Sequence, residues 1–349
     1  MRTKTEVTIY DIAEVLKISP STVSRALNDH PAIRKDTKKK IHDYAHQIGY
    51  QHNSFASNLR RKKTNTIGVI TPRLDSYFMS TVISGIEKVA SENGYNLIIS
   101  QSLESVAKEV ANVDTMYKSR VDGLLVSFAG DTEDISHLDL FFRKGISVIF
   151  FDRVFHHPDC TSIVIDNYKA AHKATTHLID QGCKQIIHIT NNLQCSVYTE
   201  RLRGYQQALL DAGIDSNPDL VFNIRLNDSA GKETLKRINK LNLQPDGIFA
   251  ANDTSAVSVI CHLKTYGIKV PEDIAVIGFN NDPISRVIEP NLSTISYPGK
   301  KMGEIAAQTL IDRLNNKHIE KADTLVLNHE LIIRNSSLKK DKKINKACI

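Results

Sequence analysis

Apolar positions in the first fifty residues recur at helical spacing and predict three short helices. Thr8 and Asp11 form a capping-box pair at the start of the first helix. Ser19 is a suitable N-cap for the second, because Pro20 fits the first helical position, where no backbone N–H is needed. The third helix is predicted to follow Asp36. Two short helices joined by a tight turn and backed by a third predict a helix-turn-helix.

The pattern changes at Thr66, where strands begin to alternate with helices. The short apolar run at 66–70 predicts a buried strand, further strands are predicted at 95–100, 123–127 and 147–151, and residues 78–93 are predicted to form a helix. This alternation is typical of a parallel α/β fold. The chain beyond Thr66 is therefore predicted to form doubly wound parallel sheets.

A weak internal repeat divides this α/β region into two halves. Gly85 and Gly94 are nine residues apart, as are Gly204 and Gly213. The segment 145–152 also resembles 274–280. The repeat predicts two similar lobes, with ligand bound at the carboxyl ends of the strands, in the cleft between them.

The second predicted helix carries side chains suited to reading DNA. In a helix-turn-helix, the N-terminal residues of this helix face base edges in the major groove. Here they are Pro20, Ser21, Thr22 and, one turn later, Arg25, and arginine can pair bidentately with guanine. The pattern alone is also compatible with a three-helix protein-interaction module that has a basic surface.

Residues 53–63 form a short basic segment after the head. Asn53 can cap a helix that places Ala56 and Leu59 on one face, next to Arg and Lys. An apolar wedge beside basic residues is what a minor-groove intercalating element requires. The alternative is a plain basic linker.

Polar residues stand at the predicted carboxyl ends of strands in both lobes. Asp152, Asn252 and Asn280 each follow a strand, and Arg201 lies near the start of the helix that contains Gly204. Taken singly, each is compatible with a capping or turn role. As a set, they can satisfy several hydroxyl groups, which predicts a sugar or nucleoside ligand.

Charge is distributed unevenly along the 349 residues. Residues 1–65 carry 13 Lys/Arg and 6 Asp/Glu, a net charge of +7, and residues 337–349 carry +4. Residues 66–336 are mildly acidic, at −5. A basic head on an acidic body predicts that the head meets a polyanion. For residues 337–349 we favour a solvated basic tail.

Composition argues against several classes of protein. No apolar run approaches the ~18 residues of a membrane span, and the N-terminus lacks the apolar core of a signal peptide. Five scattered cysteines without a C-x-x-C motif disfavour a disulfide framework or a zinc finger. These features predict a cytoplasmic protein with no membrane partner.

Enzyme interpretations find little support in the sequence. The chain contains no nucleophile-elbow, dinucleotide-binding or P-loop motif. Asp152 beside Arg153 is interpreted as an ion-paired surface turn. We expect no catalytic residue, no metal site and no cofactor, and we expect four histidines without metal-ligand spacing to lie on the surface: His156, His157, His172 and His177.

The head resembles the DNA-binding head of the lac-repressor (LacI/GalR) family. The matching strings are 7–13, 19–28, 48–50, Asn53 and 56–59. The resemblance implies that Pro20, Ser21 and Arg25 read bases and that Leu59 is a minor-groove wedge. It implies phosphate or groove contacts from six more residues: Thr8, Ser19, Thr22, Ser24, Asn28 and Thr37. His52 departs from the family pattern, which commonly has proline there.

The resemblance continues through the body to about Ser336. It implies that a small effector binds at four positions: Asp152, Arg201, Asn252 and Asn280. Further implied contacts are Tyr77, Phe78, Ser127 and Tyr297. The chain departs from the family at three places: Asn280 replaces a common Asp, Leu226 lies near a common stacking aromatic, and Asn191-Asn192 replaces a common Gly-Pro.

The predicted fold is an N-terminal all-α helix-turn-helix head and a two-lobed α/β body like that of periplasmic binding proteins. The predicted boundaries are a head at 1–52, a hinge helix and linker at 53–65, a body at 66–336 and a tail at 337–349. Lobe one is expected at about 66–163 plus 297–324. Lobe two is expected at about 164–294 plus 326–336.

The predicted function is that of a sequence-specific DNA-binding transcription regulator, a repressor controlled by a sugar or sugar derivative. Expected partners are a pseudo-palindromic double-stranded DNA operator, the effector and a second copy in a homodimer. The expected location is the cytoplasm, at the nucleoid. The alternatives are a soluble sugar-binding protein of periplasmic type, which should have a signal peptide and no helix-turn-helix, and a sugar-processing enzyme on the same scaffold.

Overall fold

The computed structural model describes residues 7–50, 63–315 and 323–339. The chain divides into two compact units, Met1–Thr64 and Asn65–Ile349, called here the head and the body. The predicted hinge residues Asn53, Ala56 and Leu59 lie outside the described residues.

The head is a helix-turn-helix with a third helix behind it, which confirms the predicted class. Its helices are α1 (Ile9–Leu16), α2 (Pro20–Leu27) and α3 (Lys35–Gln47). Six buried residues form its core: Ile12, Ala13, Val23, Ala26, Ile41 and Ala45. The third helix begins one residue before Asp36, because Arg34 takes the extended conformation that precedes a helix.

The body contains two six-stranded sheets, one for each predicted lobe. Lobe one has the order β11-β5-β4-β3-β1-β2, and every pairing in it is parallel. Its strands are β1 (Thr66–Thr71), β2 (Asn96–Gln101), β3 (Gly123–Val126), β4 (Ser147–Phe151), β5 (Thr161–Ile165) and β11 (Thr324–Leu327). The four inner strands are rich in Ile, Val and Leu and are largely buried, as expected for a sheet covered on both faces, whereas the edge strands β2 and β11 are half-buried or exposed.

Lobe two has the order β12-β10-β9-β8-β6-β7 and is parallel apart from the antiparallel edge strand β12. Its strands are β6 (Ile186–Thr190), β7 (Val221–Asn223), β8 (Gly247–Ala250), β9 (Ala275–Asn280), β10 (Ser293–Ser296) and β12 (Glu330–Ile332). The two sheets confirm the prediction of a two-lobed, doubly wound body.

Helices cover both sheets. In lobe one they are α4 (Tyr77–Glu92), α5 (Val106–Lys118), α6 (Asp139–Arg143) and α12 (Gly299–Leu314). In lobe two they are α7 (Asn167–Asp180), α8 (Ser196–Asp211), α9 (Ala230–Leu241), α10 (Asp253–Thr265) and α11 (Ile284–Val287). The chain passes between the lobes three times, from β5 to α7, from β10 to α12 and from β11 to β12.

The repeated glycines have the same role in each lobe. A Cβ on Gly85 would lie 2.1 Å from the Lys300 carbonyl oxygen, and one on Gly204 would lie 2.2 Å from that of Tyr168. Glycine therefore lets α4 approach α12 and lets α8 approach α7 at backbone contact. No helix in the described ranges combines the length and apolar content needed to cross a membrane.

Candidate functional site

The outer face of α2 presents the predicted base-reading residues. Ser21 and Arg25 are exposed and Pro20 is half-buried, whereas Val23 and Ala26 on the opposite face are buried in the head core. The amphipathic spacing of this helix thus separates a packing face from a polar face. The polar face is the one available to a DNA groove.

Hydroxyl groups cluster at the N-terminus of α2. The Ser19 Oγ lies 2.8 Å from the Ser21 Oγ and 2.8 Å from the Thr22 Oγ1, and it accepts a 3.1 Å hydrogen bond from the Thr22 N–H. Ser19 therefore caps the helix as predicted. The cluster places three hydroxyls at the helix end that a helix-turn-helix directs toward DNA.

The other predicted DNA contacts are distributed around the head. Thr8 is exposed at the start of α1, where its N–H and Oγ1 donate to the Asp11 carboxylate at 2.6 and 2.7 Å. These hydrogen bonds lower the pKa of Asp11. The Asn28 amide donates to the Ser24 carbonyl at 2.7 Å, and Thr37 is half-buried on α3.

Asp152 lies at the carboxyl end of β4 and is only 7% exposed. Its φ of +61° is unusual for a residue other than glycine, although aspartate tolerates this region better than most. The Tyr297 hydroxyl donates to the Asp152 Oδ1 at 2.7 Å. Burial raises the pKa of Asp152 and also that of Tyr297, whose ionisation the neighbouring carboxylate further opposes.

Arg201 is held in lobe two by hydrogen bonds and by an aromatic ring. Its Nε donates to the Asn167 Oδ1 at 2.9 Å, and its Nη1 donates to the Ala251 carbonyl at 2.7 Å. Its guanidinium carbon lies 3.5 Å from the centre of the Phe279 ring, a cation–π contact. Burial lowers the pKa of Arg201. These contacts hold the side chain in one orientation inside the protein.

Aromatic rings connect Asp152 to Arg201. Tyr297 stacks on Phe78, with ring centres 4.2 Å apart, and meets Phe279 edge to face at 6.0 Å. The guanidinium of Arg201 lies 6.0 Å from the Tyr297 ring. The structure therefore brings together four predicted site residues: Phe78, Asp152, Arg201 and Tyr297. Beside them is a cavity of about 240 Å³, lined by Asp152, Asn167, Tyr168, Ser196, Val197 and Glu200 among others.

Buried polar atoms without partners lie at the carboxyl ends of strands. Ser127, which follows β3, is fully buried, and its Oγ has no hydrogen-bond partner among the described residues. The same holds for the Thr190 Oγ1 and the Ser102 Oγ, at the ends of β6 and β2. A buried hydroxyl left unpaired costs free energy that a polar ligand can recover.

The remaining predicted cleft residues have other roles in the structure. Asn252 caps α10 through a 2.9 Å hydrogen bond from the Ser255 N–H and also donates to the Leu226 carbonyl at 3.1 Å. Asn280, the last residue of β9, has a φ of +112°. Tyr77 is 48% exposed at the start of α4. None of these contacts joins the Asp152–Arg201 cluster.

The prediction that Asp152 and Arg153 form an ion-paired surface turn is wrong. The pair Asp152–Arg153 is not a surface turn, because the Arg153 side chain is only 12% exposed and pairs with Glu104, at 2.6 Å, rather than with Asp152. The Arg153 Nη2 also reaches the Tyr198 hydroxyl at 3.4 Å. Sequence analysis missed Glu104 and Tyr198 because they lie 49 and 45 positions from Arg153 and only the fold brings them together.

The prediction that His177 lies on the surface is also wrong. It is buried rather than on the surface, and its Nε2 lies 2.8 Å from the Ser337 Oγ. Burial lowers the pKa of this histidine. Over the described ranges, no cluster of His, Cys, Asp and Glu side chains is arranged to hold a metal ion.

A buried carboxyl pair lies next to the strand ends of lobe two. The Asp253 carboxyl group accepts hydrogen bonds from the Thr294 hydroxyl at 2.6 Å and from the Asp282 N–H at 2.7 Å. Burial raises the pKa of Asp253 to about 8 and that of Asp282 to about 6. Because the carboxyl oxygens of Asp253 are already hydrogen-bonded within lobe two, we assign this residue a structural role in supporting the wall of the cleft.

We expect the Asp253→Asn variant to become increasingly more stable than the wild type as the pH rises from about 4 to about 8. An unfolded aspartate ionises near a pKa of 3.8, whereas the buried one keeps its proton up to about 8. Across this window, rising pH therefore lowers the free energy of unfolding of the wild type. The variant does not lose stability in this way, because asparagine does not titrate.

Urea midpoints at about pH 5 and about pH 8 measure this effect. The difference between variant and wild type should grow by on the order of 2 kcal/mol. Asp228→Asn, which removes an exposed carboxylate, is the control and should follow the wild type. Parallel pH profiles for Asp253→Asn and wild type would show that Asp253 is ionised in the folded state.

Comparisons with known proteins agree with both units. Residues 8–53 match the model of the bacterial regulatory proteins of the lacI family, and residues 175–337 match a periplasmic binding protein-like domain. The HTH-type transcriptional regulator RegA of Clostridium saccharobutylicum is 31% identical over 331 residues, covering 95% of this chain and 99% of RegA. Catabolite control protein A of Priestia megaterium is 29% identical, with the same coverage of each chain.

A solved structure with a similar fold is that of the lac repressor dimer bound to operator and an anti-inducer. It superimposes with a TM-score of 0.85 at 23% identity, covering 96% of this chain and all of the other. The helix-turn-helix, the two-lobed body and the relatives that match along nearly the whole length lead to one assignment. The chain belongs to the LacI family of bacterial DNA-binding transcription regulators.

Proposed function

We propose that the chain is a cytoplasmic repressor whose interlobe cleft binds a sugar or sugar derivative. The observation that carries the effector assignment is the buried cluster of Asp152, Arg201 and Tyr297. A carboxylate, a guanidinium and a phenolic hydroxyl in one cleft offer both donors and acceptors to the hydroxyls of a carbohydrate. The unpartnered Ser127 hydroxyl adds a further group that such a ligand can satisfy.

The DNA-binding half of the proposal depends on the polar face of α2. Arg25 is exposed one turn after the hydroxyl cluster of Ser19, Ser21 and Thr22. We propose that Arg25 and Ser21 contact base edges in the major groove, and that Ser19 and Thr22 contact phosphates. Thr8, Ser24, Asn28 and Thr37 are proposed as further backbone contacts.

The effector can regulate operator affinity only if it binds one arrangement of the lobes more tightly than another. The typical coupling between two such sites is ~1–3 kcal/mol. We propose that the effector is an inducer, because the arrival of a carbohydrate should release the genes for its use. Adding it to the protein–operator complex should then free the DNA.

Selection of an operator from random DNA, with and without a panel of sugars, tests both halves. We expect enrichment of a pseudo-palindromic sequence, and loss of that enrichment with one sugar of the panel. Failure to enrich any such sequence would contradict the assigned DNA face. An enriched complex that no sugar in a broad panel affects would contradict the assigned effector class.

We expect the protein to be a homodimer in solution. One head contacts only a few base pairs, so two copies related by twofold symmetry are needed to read a long operator. Residues 337–349 are rich in lysine and do not themselves carry the leucine heptads of a coiled coil. Sedimentation velocity of the full chain should give one dimeric species, and a stable monomer or tetramer would contradict the expectation.

We further propose that the cleft binds its ligand without turnover, as in a regulator rather than a sugar-processing enzyme. RegA is named as a transcriptional regulator, and the relative from Priestia megaterium is named as a catabolite control protein. Each sugar of the panel, incubated with the protein and analysed chromatographically, should be recovered unchanged. Appearance of a product that depends on Asp152 would instead support the enzyme alternative.

A further inference from the structure

Direct contacts join the two lobes at one edge of the cleft. The Asn192 Nδ2, in the loop after β6 of lobe two, donates to the Gly130 carbonyl of lobe one at 2.7 Å. The Gln194 Nε2 donates to the Glu133 Oε1 at 3.0 Å. Both bonds run from side-chain amides of lobe two to acceptors in the loop that follows β3.

The two side-chain amides are also linked to each other. The Asn192 Nδ2 donates to the Gln194 Oε1 at 3.3 Å, and the Asn192 Oδ1 accepts from the backbone N–H of Gln194 at 3.1 Å, which orients the Asn192 amide. On the other side, the Gly130 N–H donates to the Glu104 Oε2 at 2.9 Å, and Glu104 pairs with Arg153. Gly130 is therefore held from both sides, which presents its carbonyl as a fixed acceptor.

We infer that Asn192 and Gln194 form a clasp, with Gly130 and Glu133 as its acceptors, that holds the two lobes closed. The inference builds on the proposed effector cleft and concerns how that cleft opens. Together with the Arg153–Tyr198 contact, the clasp sets the fraction of molecules with an open cleft, and hence how readily a ligand enters and leaves. Each net hydrogen bond changes such an equilibrium by roughly two- to tenfold.

Cys195 is a natural reporter of opening. It is 6% exposed at the N-terminus of α8, and its electrostatic neighbours include Asp152, Arg153 and Glu104 of lobe one. Burial raises the pKa of its thiol, which lowers its reactivity while the cleft is closed. Cys160 in lobe one and Cys183 in lobe two are also buried and serve as internal references for unfolding.

The experiment is iodoacetamide alkylation of the full chain, followed for each cysteine by mass spectrometry, without DNA or sugar. The double variant Asn192→Ala with Gln194→Ala should increase the rate at Cys195 by about tenfold and leave Cys160 and Cys183 unchanged. Asn191→Ala removes a neighbouring amide that does not bond to lobe one, and it should match the wild type. An unchanged Cys195 rate, or an equal rise at all three cysteines, would overturn the clasp.

A variant in the other lobe separates lobe opening from loosening of the loop around Cys195. Glu133→Ala removes an acceptor in lobe one and leaves residues 191–195 intact. It should raise the Cys195 rate by roughly two- to threefold, because the exposed bond contributes less than a buried one. No increase would show that the first result came from the loop alone and would overturn the clasp. Since no ligand is present, failure of the proposed sugar response would leave this result unaffected.

Discussion

Arg201→Ala and Asp152→Ala are expected to abolish the effector response while leaving operator binding nearly intact. Truncating one partner of a buried, hydrogen-bonded charge typically costs about 2–5 kcal/mol, which corresponds to a loss of roughly 30-fold or more in effector affinity. Both residues lie in the body, whereas the proposed base-reading residues lie in the head. The measurement is a titration of the selected sugar against the protein–operator complex.

The controls for this prediction separate chemistry from folding. The variant Lys240→Ala removes an exposed positive charge from α9, away from the residues that line the cavity, and it should respond like the wild type. Arg201→Lys keeps the charge but loses the planar fork that bonds Asn167 and the Ala251 carbonyl, so it should also weaken the response. If Asp152→Ala and Arg201→Ala both kept the full response, the proposed cleft site would be wrong.

Arg25→Ala is expected to relax operator specificity at one position of each half-site. A good bidentate contact between arginine and guanine contributes ~1–3 kcal/mol of discrimination. Arg25 is exposed on α2 and has room to reach a base edge, while its neighbour Ala26 is buried in the head core. Binding to a set of operators that differ at single positions should show the preference lost at one position and kept at the others.

A charge-matched control distinguishes base reading from phosphate attraction. Lys40→Ala removes one exposed positive charge from α3, and any loss it causes should be equal for all sequences and smaller in high salt. If Arg25→Ala instead weakened binding equally for every operator, Arg25 would be reassigned to a phosphate contact.

The sequence by itself determined the elements and their class. Capping and helix-terminating residues such as Ser19, Pro20 and Gly49 act within a few positions, so α1 to α3 were predictable from local chemistry. The buried strands of the body were equally predictable, because a sheet covered on both faces requires continuous apolar runs. The paired glycines predicted the repeat, and the structure shows that Gly85 and Gly204 make equivalent helix contacts.

The tertiary structure alone decided which polar residues meet. Tyr297 bonds to Asp152 across 145 positions, and Arg153 pairs with Glu104 across 49, distances over which no local pattern carries information. Asn252 looked like Asp152 in the sequence, since both follow a strand, yet one caps a helix and the other faces Tyr297. The burial of a polar residue and its hydrogen-bond partners depend on how distant strands and helices pack. Spacing along the chain could therefore identify candidate site residues, but only the packing of the lobes determined which of them are in contact.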